Sequence, residues 1–169
     1  MTHIAGALLI ALGCCWLGEG KARKLRDRER ALNAVISALE QMSREMTLCL
    51  TPLPQLMERI GLQSPSPARE LLLGCGQAME RLPQEPFSYI WKEQARKITC
   101  LNEQDIQALE PLGEVLGRYG AEAQAEGIHA VAETLRAHHA GAMDDSRRLG
   151  RVYRAVGAAG GGALIILLL

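Results

Sequence analysis

Cysteine and histidine could provide metal ligands or nucleophiles in this chain, but their spacing favours neither role. The five cysteines are an odd number, include no Cys-x-x-Cys pair and are spread over predicted helices and the first apolar segment. This pattern favours reduced thiols over a disulfide framework or a zinc site. His138 and His139 are adjacent, so they point about 100° apart on a helix and cannot both bind one ion. We therefore predict no metal site and no cofactor. The cysteines are Cys14, Cys15, Cys49, Cys75 and Cys100.

Catalytic motifs are also missing from the sequence. The glycines lie in predicted turns or in the C-terminal apolar run, without the GxxxxGK[ST] pattern of a phosphate-binding loop. No Ser, His and Asp trio has a recognisable nucleophile context. The formal net charge is +0, which provides no overall field to attract nucleic acid. We predict that the chain is not an enzyme, with no catalytic residues, no small-molecule substrate and no nucleic-acid partner.

The two ends of the chain are the elements most clearly marked by composition. The segments Ile4–Gly18 and Ala155–Leu169 carry no charge. Each would form a helix of roughly 23 Å, somewhat shorter than the ~30 Å hydrocarbon core of a bilayer. Long basic side chains beside them can place their charges at the membrane interface and cover part of the difference. We predict transmembrane helices over 1–18 and 152–169. The interface charges are Lys21, Arg23, Lys24, Arg151 and Arg154.

Other interpretations of these ends are possible, and the positions of the charges weigh against them. A cleaved signal peptide or a lipoprotein signal needs a basic stretch before the apolar run, whereas only Met1, Thr2 and His3 precede it. The C-terminal run could instead be a buried hairpin helix of a soluble domain, but its glycines suit a bilayer better than water. Basic residues follow the first span and precede the second. By the positive-inside tendency, the central domain 19–151 is predicted to be cytoplasmic.

Helical periodicity dominates the central domain. No Pro or Gly interrupts the stretch from Lys21 to Leu50, so we expect the first span to continue into a long helix. A last helix from Ala121 to about Arg154 should run into the second span in the same way. The predicted fold is all-α: a compact helical bundle whose first and last helices are continuous with the transmembrane helices. The stripe predicted for the first helix is Leu25, Leu32, Val35, Leu39, Met42, Met46 and Cys49.

Shorter helices are predicted between the long first helix and the last helix. Thr51 is predicted to cap a helix that ends near Gly61, and a further helix should follow a Ser-Pro linker over Ala68–Leu82. Phe87–Ile98 carries three aromatic residues, which could form a core cluster or a docking surface. Asn102 and Asp105 have the spacing of a capping box. Three further features complete this region: the break expected at Pro111, the turn over Leu116–Gly120, and the inward positions of Ile106, Leu109, Leu112, Val115 and Leu116.

At this point the chain resembles the stage III sporulation protein AB family of endospore-forming bacteria over essentially its whole length. The resemblance rests on the opening apolar segment with its basic helix, on the segment TPLPxxxERI, and on the aliphatic C-terminal pattern. The family has a pair similar to Ser-Asp after its Leu-Gly turn. This chain has Tyr119-Gly120 at these positions and so departs from the family pattern there. The motif residues are Thr51, Pro52, Leu53, Pro54, Leu116, Gly117 and Gln124.

The resemblance implies a sporulation protein in the complex that joins mother cell and forespore. Its central domain would be similar to platform-protein domains of type II secretion and type IV pili. The implied partners are the stage III sporulation protein AA ATPase and other membrane subunits, and the implied location is the mother-cell side of the outer forespore membrane. An alternative is a static assembly or spacer factor that does not contact an ATPase. Candidate partner contacts are the exposed charges Glu58, Arg59, Arg69 and Glu70.

Overall fold

The computed structural model describes the backbone of residues 2–49 and 51–168, and the side chains of residues 16, 19–48, 51–153, 155–156 and 159. Every regular element in these residues is helical, as the sequence predicts. Two compact units can be distinguished: residues 30–139 form one, and residues 1–29 with 140–169 form the other. The helices are α1 (Thr2–Cys49), α2 (Leu53–Gln63), α3 (Ala68–Ala78), a 3₁₀ turn (Met79–Arg81), α4 (Phe87–Arg96), α5 (Glu103–Leu109), α6 (Leu112–Val115) and α7 (Ala121–Leu168).

The two 48-residue helices α1 and α7 are unbroken, which confirms the prediction that each long helix continues into its chain end. Within residues 30–139, the members of the predicted α1 stripe whose side chains are described are buried, and small residues beside them widen the buried face. The side chain of Arg136 on α7 forms an ion pair with Glu40 on α1. The buried residues of α1 in this unit are Ala31, Leu32, Ala34, Val35, Ile36, Ala38, Leu39, Met42 and Met46; those of α7 are Ala125, Ile128, Val131, Ala132 and Leu135.

Helices α2 and α3 form a tight hairpin. The predicted inner face of α2 is confirmed, with Leu56, Met57 and Ile60 fully buried. Two boundary predictions are wrong. The N-cap is Pro52 rather than Thr51, because its carbonyl accepts the first helical bond, from the Leu56 amide. Gly61 does not end the helix; it lies inside α2, where a Cβ would come within 2.9 Å of the Leu73 side chain.

Helices α4, α5 and α6 surround a buried indole. Trp91 is fully buried, and its Nε1 donates a 2.8 Å hydrogen bond to the carbonyl of Leu109 at the end of α5. The expected break at Pro111 is confirmed, because α5 ends at Leu109 and α6 begins at Leu112. Asn102 and Asp105 form the predicted capping box. Of the two interpretations of the aromatics, a core position is confirmed for Trp91, whereas Tyr89 has an exposed fraction of 56%.

The unit formed by residues 1–29 and 140–169 brings small residues of α1 and α7 into contact. Ala22 is buried, and a Cβ on Gly150 would lie 3.9 Å from the Ala22 methyl group. Within the described part of the chain, none of the helices contains a stretch long and apolar enough to cross a membrane. Most side chains of the expected spans 1–18 and 152–169 lie outside the described residues. The division of the chain at 18 and 152 stays a prediction.

Candidate functional site

Four of the seven motif residues that carry the family resemblance line one apolar groove. Leu53 and Pro54, at the start of α2, lie beside Leu116 and Gly117, which are more than sixty positions later in the chain. Together they line a cavity of about 330 Å³, which we call the motif groove. Its other lining residues are Met79, Leu82, Pro86, Phe87, Ser88, Gly113, Glu114 and Arg118.

The turn at one side of the motif groove is held by Gln124. Gly117 has a φ of +77°, a conformation that glycine adopts without the steric cost of a Cβ. The Gly117 amide donates to Gln124 Oε1 at 3.0 Å, and Gln124 Nε2 donates to the carbonyl of Tyr119 at 2.5 Å. The second bond is to the main chain. It therefore does not depend on which side chain occupies position 119.

Close backbone packing forms another wall of the motif groove. A Cβ on Gly113 would lie 2.8 Å from Ser88 Cα and 3.2 Å from Trp91 Cβ, so only glycine allows α6 to approach α4 this closely. The ring of Phe87 lies 6.2 Å from that of Trp91, centroid to centroid, and faces the groove. Thus the groove is backed by the buried core of α4. Its wall is fixed by packing rather than by flexible side chains.

Two further depressions share lining residues with the motif groove. One shares Pro54 with it and is also lined by Glu58. The other shares Pro86, Ser88 and Glu114 with it and contains the exposed ring of Tyr89. Ion pairs neutralise most of the charge in these three depressions: Lys92 pairs with Glu110 at 2.7 Å, and Arg118 with Glu114 at 3.1 Å.

The predicted partner contacts lie on the α2–α3 hairpin. They differ in whether their side chains already form ion pairs or hydrogen bonds within the chain. Glu58 and Glu70 are exposed. Arg59 is also exposed but forms an ion pair with Glu45 on α1. Arg69 donates to the main-chain carbonyls of Ser64, at 3.1 Å, and Leu62, at 3.4 Å. Of these four residues, Glu58 alone lies in a depression that adjoins the motif groove.

The predicted interface charges belong to the other unit. Lys21, Arg23, Lys24 and Arg151 are exposed, and the side chain of Arg154 lies outside the described residues. Large apolar side chains are exposed in the same unit. Trp16 is 80% exposed, and Val152, Tyr153 and Val156 are also exposed. The unit has nine basic and five acidic residues, whereas residues 30–139 have ten basic and fourteen acidic ones, giving net charges of +4 and −4.

A buried polar pair was not anticipated from the sequence. Asp105 is fully buried, and its Oδ1 lies 2.9 Å from Nδ1 of His138 on α7. The capping box predicted the N-terminal capping role of Asp105. The only sign in the sequence of its contact with α7 was a polar residue, His138, among the inward positions of that helix.

Burial raises the pKa of Cys75 to about 12, which disfavours thiolate chemistry. No group of three His, Cys, Asp or Glu residues in the described part of the chain could hold a metal ion.

Comparison with known proteins identifies one family throughout. The sequence model of a family described as stage III sporulation protein AB matches residues 3–169. The stage III sporulation protein AB of Bacillus subtilis (strain 168) is 23% identical over 172 residues, covering all of both chains. A solved structure of a stage III sporulation protein AB superposes with a TM-score of 0.62 at 21% identity, covering 71% of this chain and 96% of that one. This last likeness supports the all-helical fold.

Proposed function

The chain belongs to the stage III sporulation protein AB family, and we propose that it is a membrane-held platform subunit that engages a cytoplasmic ATPase. In this proposal α1 and α7 anchor the chain in the outer forespore membrane from the mother-cell side. The helices of residues 30–139 then present the docking surface. The engagement of the ATPase and the membership of a complex that joins mother cell and forespore are proposed from the family resemblance alone. The membrane attachment is also supported by observations on this chain.

The exposed apolar side chains of the unit formed by residues 1–29 and 140–169 carry the proposal of membrane attachment. An indole that is 80% exposed, as Trp16 is, is unfavourable in water but common where a helix enters a bilayer. Tyr153 and Val156 are exposed in the same unit. The basic residues of this unit, including Lys21 and Arg151, are suited to an anionic cytoplasmic leaflet.

Accessibility of single cysteines tests the anchoring and its orientation. The five native cysteines are replaced by serine or alanine, and one cysteine is returned at Thr2 or at Arg30. In cells that hold the chain in the plasma membrane, rather than in the enclosed forespore membrane, a membrane-impermeant maleimide should label position 2 and leave position 30 unlabelled until the cells are opened. If position 2 is protected in intact cells, the two-span orientation is wrong. Release of the chain into the soluble fraction would refute the anchoring itself.

The continuity of α1 and α7 through both units supports a mechanical version of the role. A helix without a break can transmit rotation or displacement, because no flexible linker absorbs it. Seven glycines inserted after Glu19 should uncouple the predicted first span from the rest of α1 and block sporulation. Seven alanines at the same point add about two turns, keep the helix and its phase, and should preserve more function. Normal sporulation with the glycine insertion would refute rigid coupling.

Binding to the ATPase separates the platform role from a static spacer. The full-length chain in lipid nanodiscs is immobilised and exposed to the purified stage III sporulation protein AA ATPase. A saturable association that is absent from empty nanodiscs is expected for a platform subunit. A spacer would give no signal above the empty discs, and that result would refute the proposed engagement.

A further inference from the structure

We infer that the motif groove receives a bulky apolar side chain from a helical segment of the partner ATPase, and that a basic residue one turn along this segment pairs with Glu58. The inference rests on the proposed function. It names the docking site on this chain and the type of partner segment that would bind there. It commits to one occupant, an amphipathic segment with an apolar anchor and a neighbouring Lys or Arg.

The apolar part of the inference follows from the lining of the groove. Leu53, Phe87 and Leu82 contribute apolar surface, and Leu82 is 45% exposed beside the fully buried Leu116. A concave apolar surface of this kind favours a ligand that removes its apolar area from water. Its volume of about 330 Å³ suits one or two side chains rather than a whole helix. An inserted Leu, Met or Phe anchor matches it best.

The charged part of the inference follows from the ion pairs around the groove. Five charged residues line the motif groove and its two neighbouring depressions, and four of them pair with each other, as Lys92 does with Glu110. The fifth is Glu58, an exposed carboxylate with no ion-pair partner among the described residues. Residues 30–139 also carry a net charge of −4. A basic partner segment is therefore electrostatically complementary to this surface.

The distance between Pro54 and Glu58 along α2 determines how far apart the apolar anchor and the basic residue of the partner segment must be. Pro54 lines both the motif groove and the depression that contains Glu58. Positions 54 and 58 are one helical turn apart, about 6 Å along the axis. A helical partner segment that reaches both would need its apolar anchor and its basic residue three or four positions apart.

The test measures binding of the ATPase to the full-length chain in nanodiscs and uses matched pairs of variants. Leu82→Glu places a charge at the mouth of the groove, and Leu62→Glu places one at an exposed leucine of α2 that does not line it. Glu58→Lys reverses the unpaired carboxylate, and Glu70→Lys reverses an exposed one beyond the groove. We expect Leu82→Glu and Glu58→Lys each to weaken binding about tenfold or more, and their controls to change it less than about twofold.

The outcomes separate this inference from the proposed function. If the unmodified chain does not bind the ATPase, the proposed function fails. If it binds and all four variants bind equally well, the groove is not the docking site, although the engagement stands. A photo-crosslinker at Leu82 identifies the occupant, and an adduct with the ATPase is expected. An adduct with only a second copy of this chain, or only with phospholipid, overturns the inference.

Discussion

His138 offers a direct test of how the described core is held together. Its ring lies on α7 and contacts the fully buried carboxylate of Asp105, which also caps the first turn of α5. Replacing His138 with alanine removes this partner of a carboxylate that water cannot reach freely. His139→Ala is the matched control, because the neighbouring ring is buried to a similar degree but makes no hydrogen bond or ion pair with any described residue.

The magnitude follows from the burial of the two groups. Removing one member of a fully buried ion pair costs about 3–5 kcal/mol, and a hydrogen bond to a charged group contributes about 1.5–3 kcal/mol. Because 27% of the His138 side chain remains exposed, water can replace part of the interaction, and we expect a loss near 2 kcal/mol. For a chain of this length, that loss lowers the unfolding midpoint by about 4–8 °C. The His139→Ala variant should stay within about 0.5 kcal/mol of the unmodified chain.

The assay is thermal and denaturant unfolding of the full-length chain, followed by far-ultraviolet circular dichroism, in a double-mutant cycle. The cycle combines His138→Ala with Asp105→Asn, which keeps the shape and the capping oxygen but removes the charge. We expect a coupling energy above about 1 kcal/mol. Equal losses for His138→Ala and His139→Ala, or a coupling below about 0.3 kcal/mol, would refute the claim that this pair stabilises the fold.

Three further predictions concern other parts of the described core. Burial raises the pKa of Cys75 to about 12 from an ordinary 9.0, so at pH 8 its alkylation should be roughly a thousandfold slower than after unfolding in urea, and it should accelerate as pH rises. Gly113→Ala should destabilise the chain by about 1–3 kcal/mol in urea titrations, because its methyl group would overlap Ser88; no loss would mean that α6 shifts freely. Gln124→Ala should cost about 1–2 kcal/mol and speed amide exchange at Gly117, and unchanged exchange there would refute the role of Gln124 in holding the turn.

Periodicity predicted most of the helices, because burial on one face leaves a direct mark on a sequence. Leu32, Leu39 and Met42 are buried at the expected spacing. Helix ends were harder to predict, since they depend on tertiary packing: Gly61 reads as a stop signal, yet close contact with α3 keeps it within α2. Pro52 takes the N-cap position predicted for Thr51 because its own carbonyl accepts the first helical bond.

The motif groove could not be predicted from periodicity, since it joins segments far apart in the chain. From periodicity, Leu53 and Leu116 are each predicted to be an inward residue of a separate helix. Nothing in their spacing shows that they line the same cavity. The same holds for His138, whose partner Asp105 is 33 positions away. The resemblance named four of the twelve residues that line the groove, and the reason for grouping these four appears only when the start of α2 lies beside the turn that follows α6.

The indole of Trp91 gives the molecule an intrinsic optical reporter. It is buried against Gly113 and Phe87, which line the motif groove. Its Nε1 donates a hydrogen bond to the carbonyl of Leu109, just before the break between α5 and α6. The only other tryptophan, Trp16, is mostly exposed and lies outside residues 30–139. With Trp16→Phe, emission at one wavelength would follow the groove alone. A blue-shifted emission maximum that moves to the red would report loss of the packing around Trp91 without any added label.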